Sequence, residues 1–329
     1  MKRVCIVGAG AIGGLIGARL AATGQVRVSA LARGDTLAAL RQHGWRLKSG
    51  EELITSPANA SQSAEELGAQ DVVVIAVKAP ALGDLAPALA PLMTPETIVV
   101  PAMNGIPWWF CQNQSDLADK QLESIDPGGR ISTAFKVDSV LGCVVHASAK
   151  RIEPGFVQEV MWHQMLIGEP FGGESNRAAE LAELFSGAGC MTHVSTDVRT
   201  EIWYKLWGNL TMNPVSALTG ATIEQILGDP LVRTLCSAAM IEAQQIGTRL
   251  GCPIGQGTEE RHEVTAKLGA FKTSMLQDAE AGRDLELDAI VTAVHEIGRR
   301  LVIGTPHIDG ILGLTRLFGR VRGIYPTAK

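Results

Sequence analysis

An α/β domain of the doubly wound type, followed by an all-α domain, is the fold class that three features of this 329-residue sequence predict. Short β-like runs alternate with helical stretches over the first half, the grammar of a mostly parallel sheet with helices on its faces. A glycine-rich turn separates the first such run from the first helix. From about Asp197 the texture changes to long amphipathic helical runs. At about 100–200 residues per domain the length suits two domains, and we set the boundary between residues 196 and 197.

Each element can be justified in order. Strands are expected at Arg3–Val7, Val26–Leu31, Val72–Ala76, Ile98–Val100, Val140–Val145 and Met165–Ile167, where β-branched and aliphatic residues run between turn formers. Helices are expected at Ile12–Ala22, Gly34–His43 and Leu82–Leu92. Glu153–Gln164 suits an antiparallel addition to the sheet, and the polar stretch Gln112–Arg130 a surface excursion. The second domain should carry helices at Asp197–Ala217, Thr222–Leu227, Pro230–Leu250, Thr258–Ala279, Leu285–Arg300 and Asp309–Arg322. Gly220, Asp229-Pro230, Gly251-Cys252-Pro253, Gly282 and Gly304-Thr305-Pro306 separate them. The crevice between two such domains is the default ligand site.

Composition narrows the function classes. Hydrophobic residues make up 46% and charged residues 19%, which excludes global disorder. A formal net charge of −5 lacks the basic footprint of a nucleic-acid binder. Cys5, Cys111, Cys143, Cys190, Cys236 and Cys252 form no C-x-x-C pair and have no histidines at zinc spacing, so they read as reduced, buried thiols of a cytoplasmic protein. Met1-Lys2-Arg3 and the apolar run behind it mimic a signal peptide, but glycines at turn spacing and Arg19 interrupt that run. The apolar stretch Asp71–Met93 holds Asp71, Lys78, Asp84 and several prolines, so it is no membrane span.

Gly8-Ala9-Gly10-Ala11-Ile12-Gly13 fits G-x-G-x-x-G, between an expected strand and an expected helix. In that context the first glycine permits the tight turn, the second lets a pyrophosphate approach, and the third lets helix and strand pack closely. Amide groups at the helix start then hold the anion. The first domain therefore reads as a Rossmann-type dinucleotide-binding domain. Arg33 stands about 20 residues further on, where an NAD enzyme places an acid for the ribose 2′-hydroxyl. A guanidinium there suits a 2′-phosphate, and the cofactor is read as NADPH (NADP+). The bland alternative is an ordinary surface arginine beside Asp35.

Lys205, Asn209 and Asn213 are spaced i, i+4, i+8 and fall along one stripe of a helix whose other faces carry Ile202, Leu206 and Leu210. A polar stripe on so apolar a helix faces a ligand or a wet crevice; a solvated face is the alternative. Asn213-Pro214 could also mark a bend. Ser274 and Asp278 form a second i, i+4 pair, with Glu286 eight residues on, and alone these could be ordinary helix-surface residues. Together the set is complete for carbonyl reduction. Hydride comes from a nicotinamide, a lysine protonates the developing alkoxide, amides and a hydroxyl orient a 2-oxo acid, and a carboxylate binds a hydroxyl.

The ordered set Gly8–Gly13, Arg33-Gly34, Val77-Lys78, Asn104-Gly105, Glu201-x-Trp203-x-Lys205, Asn209, Asn213-Pro214, Ser274-Met275-Leu276-Gln277-Asp278 and Glu286 resembles the ketopantoate reductase family over nearly the whole chain. The resemblance implies a Rossmann domain and a helical domain, NADPH as cofactor, and reduction of 2-dehydropantoate to pantoate on the way to pantothenate and coenzyme A. It implies that Lys205 donates the proton to the C2 oxygen, and that Asn209, Asn213 and Ser274 hold the substrate. Asn104 would touch nicotinamide and substrate, Lys78 would lie by the cofactor, and Glu286 would bind near the nicotinamide ribose and the substrate hydroxyl. His146-Ala147-Ser148 matches a backbone contact to the cofactor through Ser148, and Asp278 a motif position of open role.

The chain departs from the family pattern at three places. Met103 replaces a frequent Gln, Pro107-Trp108-Trp109-Phe110 adds bulk, and Thr219–Ile223 stands where some members supply a further Asn. Paralogues reduce other 2-oxo acids, so a related 2-oxo acid is the runner-up substrate; the tryptophans could line its pocket or simply pack. A protein that senses NADPH without turnover is the third reading. The partner is a small molecule rather than nucleic acid or membrane, and the apolar helices of the second domain could form a homodimer. An unperturbed lysine, at about 10.4, is a sluggish acid, and partial burial of Lys205 would lower its pKa and improve donation. Arg33→Asp is expected to weaken NADPH relative to NADH in a binding titration; an unchanged preference would discard the assignment.

Overall fold

The computed structural model describes residues 1–326 apart from 116, 118 and 119, so part of the expected excursion at 112–130 lies outside the described residues. The backbone forms two compact units, one of Met1–Met103 with Asp126–Glu201 and one of Asn104–Ile125 with Ile202–Lys329. The segment Asn104–Ile125 is thus packed with the later helices, where a single crossing near residue 196 was the sequence reading.

The first unit holds ten strands: β1 (Arg3–Val7), β2 (Arg27–Leu31), β3 (Trp45–Ser49), β4 (Glu52–Ser56), β5 (Asn59–Ser61), β6 (Val72–Ile75), β7 (Ile98–Pro101), β8 (Gly142–Glu153), β9 (Phe156–Gly168) and β10 (Thr192–Val194). Five of them form a parallel sheet in the order β5-β2-β1-β6-β7. Val4–Val7 and all of β6 are buried, which is why these strands read as unbroken apolar runs rather than alternating ones. Its helices are α1 (Ala11–Ala22), α2 (Gly34–His43), α3 (Ala64–Leu67), α4 (Ala79–Leu85), α5 (Arg130–Ala134) and α6 (Asn176–Gly187). The expected helix Leu82–Leu92 changes to a tighter 3-10 turn at Ala86, in a segment where Pro87 and Pro91 remove backbone donors.

A second sheet runs β10-β9-β3-β4, with β8 paired antiparallel to β9. The expected strands Val140–Val145 and Met165–Ile167 are parts of this long hairpin, and Glu153–Gln164 pairs within it rather than on the parallel sheet. Just before β8, Val140 bridges Val99 of the parallel sheet and the Leu141 amide donates to the Val99 carbonyl at 2.9 Å. Helix α1 packs on β1 and β2 and also on β3, β4, β8 and β9. It is therefore covered on opposite sides, which accounts for the sequence AIGGLIGARLAA being apolar nearly all round. Its one charged residue, Arg19, pairs with Glu159 of β9. Trp45 of β3 lies with its ring over Gly17 of α1 and is 1% exposed.

The second unit is helical. Helix α7 (Val198–Thr219) starts in the first unit, where Asp197 accepts from the Thr200 amide at 3.2 Å, and continues into the second. It is followed by α8 (Ile223–Gly228), α9 (Pro230–Arg249), α10 (Thr258–Ala266), α11 (Ser274–Glu280), α12 (Ala293–Arg300) and α13 (Pro306–Val321). Pro214 sits inside α7 without ending it. The expected single helix Thr258–Ala279 is instead two, parted by a loop in which Gly269 has φ +60°. The expected helix Leu285–Arg300 opens with a π-helical turn at Asp288–Thr292. Buried Glu242 of α9 accepts the His307 and Ile308 amides at 3.0 Å, tying the start of α13 to α9.

Trp109, Phe110 and Trp203 form one buried aromatic run, with ring centroids 6.3 Å and 5.9 Å apart, so the segment just before the expected excursion is core of the second unit; within the excursion Leu117 and Leu122 are buried too. All six cysteines are buried and none forms a disulfide. Burial pushes Cys5 and Cys236 up to about 11 and Cys190 to about 12. Among the described residues no helix is long and apolar enough to cross a membrane. Trp45→Ala should destabilise the protein by about 3–5 kcal/mol in a denaturant melt, because it empties the layer between α1 and the second sheet; a loss below 1 kcal/mol would show that this layer is not essential packing.

Candidate functional site

In the first unit the chain leaves β1 through Gly8, whose φ is +91°. A Cβ there would stand 2.6 Å from Val77 Cγ1, and one on Gly13 would stand 2.1 Å from the Gly8 carbonyl oxygen. Neither position accepts a side chain. Gly10 is different, because a Cβ there would meet nothing within 4 Å. That open space lies at the N-terminus of α1, where Gly10 offers no side-chain cap to the first amides. The result is a cradle that a phosphate fits, with donors at its floor.

Ala9, Ala11 and Ile12 complete the turn, Ala9 buried and the other two half-buried. Arg33 follows β2, exposed, as the residue before α2, and Lys78 follows β6, half-buried, as the residue before α4. The three features therefore stand at the carboxyl ends of neighbouring strands β2, β1 and β6, where ligands of open α/β sheets bind. Ser148 is half-buried on β8 in the other sheet, opposite Met161.

In the second unit α7 carries Lys205, Asn209 and Asn213 in one stripe, between the buried residues Ile202, Leu206 and Leu210. Lys205 Nζ donates to Asn104 Oδ1 at 2.9 Å. An ammonium has donors only, so the Asn104 amide must present its oxygen to Lys205 and its NH2 elsewhere. Asn213 is only 5% exposed, and among the described residues neither its amide nor that of Asn209 has a hydrogen-bond partner. Both amides therefore remain open to accept and donate hydrogen bonds to a polar ligand.

Asn104 owes its place to the turn behind it. Gly105 has φ +84°, and a Cβ on it would lie 2.3 Å from the Ala289 carbonyl oxygen. The Ile106 amide donates to that same oxygen at 2.7 Å. Further along, Glu296 accepts the Glu123 and Ser124 amides at 3.0 and 2.9 Å, which fixes the far end of the segment to α12.

Ser274 is exposed at the first position of α11, behind the capping residue Thr273. Asp278 is buried and accepts from Arg283 Nε at 2.9 Å, a contact that shapes the turn after α11. Glu286 is half-buried, two residues before the π-helical turn. The structure thus joins Lys205 to Asn104 directly and aligns Asn209 and Asn213 with them; Ser274 and Glu286 belong to the same unit on other elements. Near the start of α7, burial and the neighbouring Asp197 hold the Glu201 carboxyl above its ordinary value. No group of three or more metal-ligating side chains occurs among the described residues.

Residues that the sequence did not single out are Ala289, whose carbonyl seats the Asn104 turn, and Glu296, which anchors its far end. The run LELDAIVT carries no signal for a π turn, since its apolar spacing is that of an ordinary helix.

Comparison with known proteins settles the family. The model described as "Ketopantoate reductase PanE/ApbA" matches residues 4–171, and "Ketopantoate reductase PanE/ApbA C terminal" matches 197–318. The chain belongs to the ketopantoate reductase family. It is similar to a 2-dehydropantoate 2-reductase of Mesorhizobium japonicum, at 43% identity over 98% of this chain and 99% of that one. It is also similar to a solved structure from Ralstonia solanacearum MolK2 described as a candidate ketopantoate reductase, with 50% identity, 99% and 100% coverage and a TM-score of 0.94. The fold recurs in a D-mandelate dehydrogenase solved with NADH and anilino(oxo)acetate, at 17% identity, 98% and 100% coverage and a TM-score of 0.81.

Gly105→Ala should cost about 1–3 kcal/mol of stability, from positive φ plus the clash with Ala289. A thermal melt that does not move would mean that this turn relaxes freely.

Proposed function

We propose that the protein reduces 2-dehydropantoate to pantoate with NADPH. The observation that carries this reading is the Lys205–Asn104 hydrogen bond beside two partnerless amides, Asn209 and Asn213, on the same helix stripe. Bound in the first unit, NADPH would supply hydride chemistry for the C2 carbon. The chain supplies the rest. Lys205 Nζ gives its proton to the C2 oxygen as charge develops there. Asn104 Oδ1 holds the ammonium in place, while its NH2 is turned outward as a donor. Asn209, Asn213 and Ser274 orient the substrate carboxylate and carbonyl, and Glu286 accepts from a hydroxyl.

In this reading the first unit holds the dinucleotide. The open space at Gly10 and the uncapped start of α1 fit the pyrophosphate. Arg33 suits a 2′-phosphate, and Lys78 and Ser148 are further cofactor contacts. The fold relative bound to NADH is read as carrying the other dinucleotide, with Arg33 making the distinction here. Six cysteines without a disulfide fit a reducing compartment, and we place the enzyme in the cytoplasm.

The test is NADPH oxidation by purified protein with 2-dehydropantoate and with a panel of other 2-oxo acids. We expect kcat/KM of about 10⁴ M⁻¹s⁻¹ or more on 2-dehydropantoate, above every panel member. A better panel member would move the substrate assignment to another 2-oxo acid of the same family. Tight NADPH binding without any turnover would contradict the reductase reading. Lys205→Ala should lower kcat by about 10²-fold or more while NADPH still binds; near-normal kcat would remove Lys205 from its role.

A further inference from the structure

The segment after α13 folds back on the stretch that carries Glu286. Gly323 has φ +68° and turns the chain, and the Ile324 amide donates to the Gly319 carbonyl at 2.9 Å. Two bonds then bracket Glu286. On one side the Leu285 amide donates to the Ile324 carbonyl at 3.0 Å. On the other the Tyr325 hydroxyl donates to Asp288 Oδ1 at 2.6 Å, and Thr292 Oγ1 donates to the same oxygen at 2.9 Å. Asp288 and Thr292 are the first and last residues of the π-helical turn.

That turn has a second task. Its Ala289 carbonyl receives the Ile106 amide and sets the height of the Asn104-Gly105 turn. A π-helical turn is an unusual local conformation that survives only where its surroundings specify it. Here the specification comes from one hydroxyl on Asp288 and another across the turn. Burial and the Asp288 carboxylate both push the Tyr325 phenol up, so it remains a donor throughout the working pH range.

We propose that Tyr325 is a positioning residue for the proposed reaction: through Asp288 and the π-helical turn it holds both Glu286 and the Asn104–Lys205 pair in register. This rests on the function proposed above only for its kinetic consequence. The structural link stands by itself. Tyr325 touches neither substrate nor cofactor in this proposal. It removes slack from the two elements that do, and a displacement of about 1 Å at such groups can cost as much as 10²-fold in rate.

Two variants test it. Tyr325→Phe keeps the ring and removes the donor. Gly319→Ala places a Cβ 2.6 Å from the Tyr325 Cβ and displaces the whole side chain. The first readout is hydrogen exchange at the Ile106 amide, which needs no turnover. Both variants should exchange it faster than the parent, with exchange elsewhere in α7 and α9 unchanged. Unchanged protection at Ile106 in both would overturn the proposal.

The second readout is kinetic. Tyr325→Phe should lower kcat about tenfold or more with little change in NADPH affinity. In an Asn104→Ala background the same change should lower kcat much less. An equal loss in both backgrounds would overturn it, because that is the signature of general destabilisation. Faster Ile106 exchange in a protein whose parent reduces no 2-oxo acid would support the structural link and remove the function proposed above.

Discussion

One hydrogen bond, from Lys205 Nζ to Asn104 Oδ1, sets the terms for the rest of the second unit. A lysine ammonium can only donate, so it fixes which way the Asn104 amide faces. It also requires that a turn 101 residues earlier in the chain be held against α7. The chain meets that requirement with apolar packing and backbone bonds. Trp109 and Phe110 pack toward Trp203, the Ile106 amide reaches Ala289, and the Glu296 carboxylate receives the far end of the segment. None of these groups is itself reactive. Their effect is that an ammonium and an amide meet with defined geometry, which in the proposed reading spares binding energy.

The first unit solves a different problem with the same economy. In the proposed reading a dinucleotide needs backbone donors at a place where no side chain intrudes, and the open space at Gly10, at the start of α1, suits it. The helix must then stay put. It is clamped between the parallel sheet and the hairpin sheet, with Gly13 against the Gly8 carbonyl and Gly17 under Trp45. An anion site at a helix N-terminus is only as well defined as the helix, and here burial on both sides defines it.

Much of this was legible in the sequence, where a physical constraint leaves few residue choices. Gly8, Gly10 and Gly13 are read from spacing because turn, phosphate and packing each demand glycine. The α7 stripe is read from periodicity because Ile202, Leu206 and Leu210 leave one polar face. The edges of the fold were harder. β3 and β4 escaped notice, although Trp45 and Leu47 alternate with more exposed neighbours, because the strands are short and joined by a tight Ser49–Glu52 turn. Asn104 was reached only through the family resemblance; its link to Lys205 is long-range, and no local pattern encodes it. The π-helical turn was invisible because what makes it, Tyr325 on Asp288, lies 37 residues away.

The central claim is that Lys205 and Asn104 act as one unit, and a double-mutant cycle on kcat/KM tests it most directly. Lys205→Ala, Asn104→Ala and the double variant would be compared with the parent on the best 2-oxo acid. If the amide works by holding the ammonium, the second substitution should cost little once the first is made, leaving a coupling of about 1–3 kcal/mol. Fully additive losses would contradict the account, and would mean that the bond between these two side chains plays no part in the reaction.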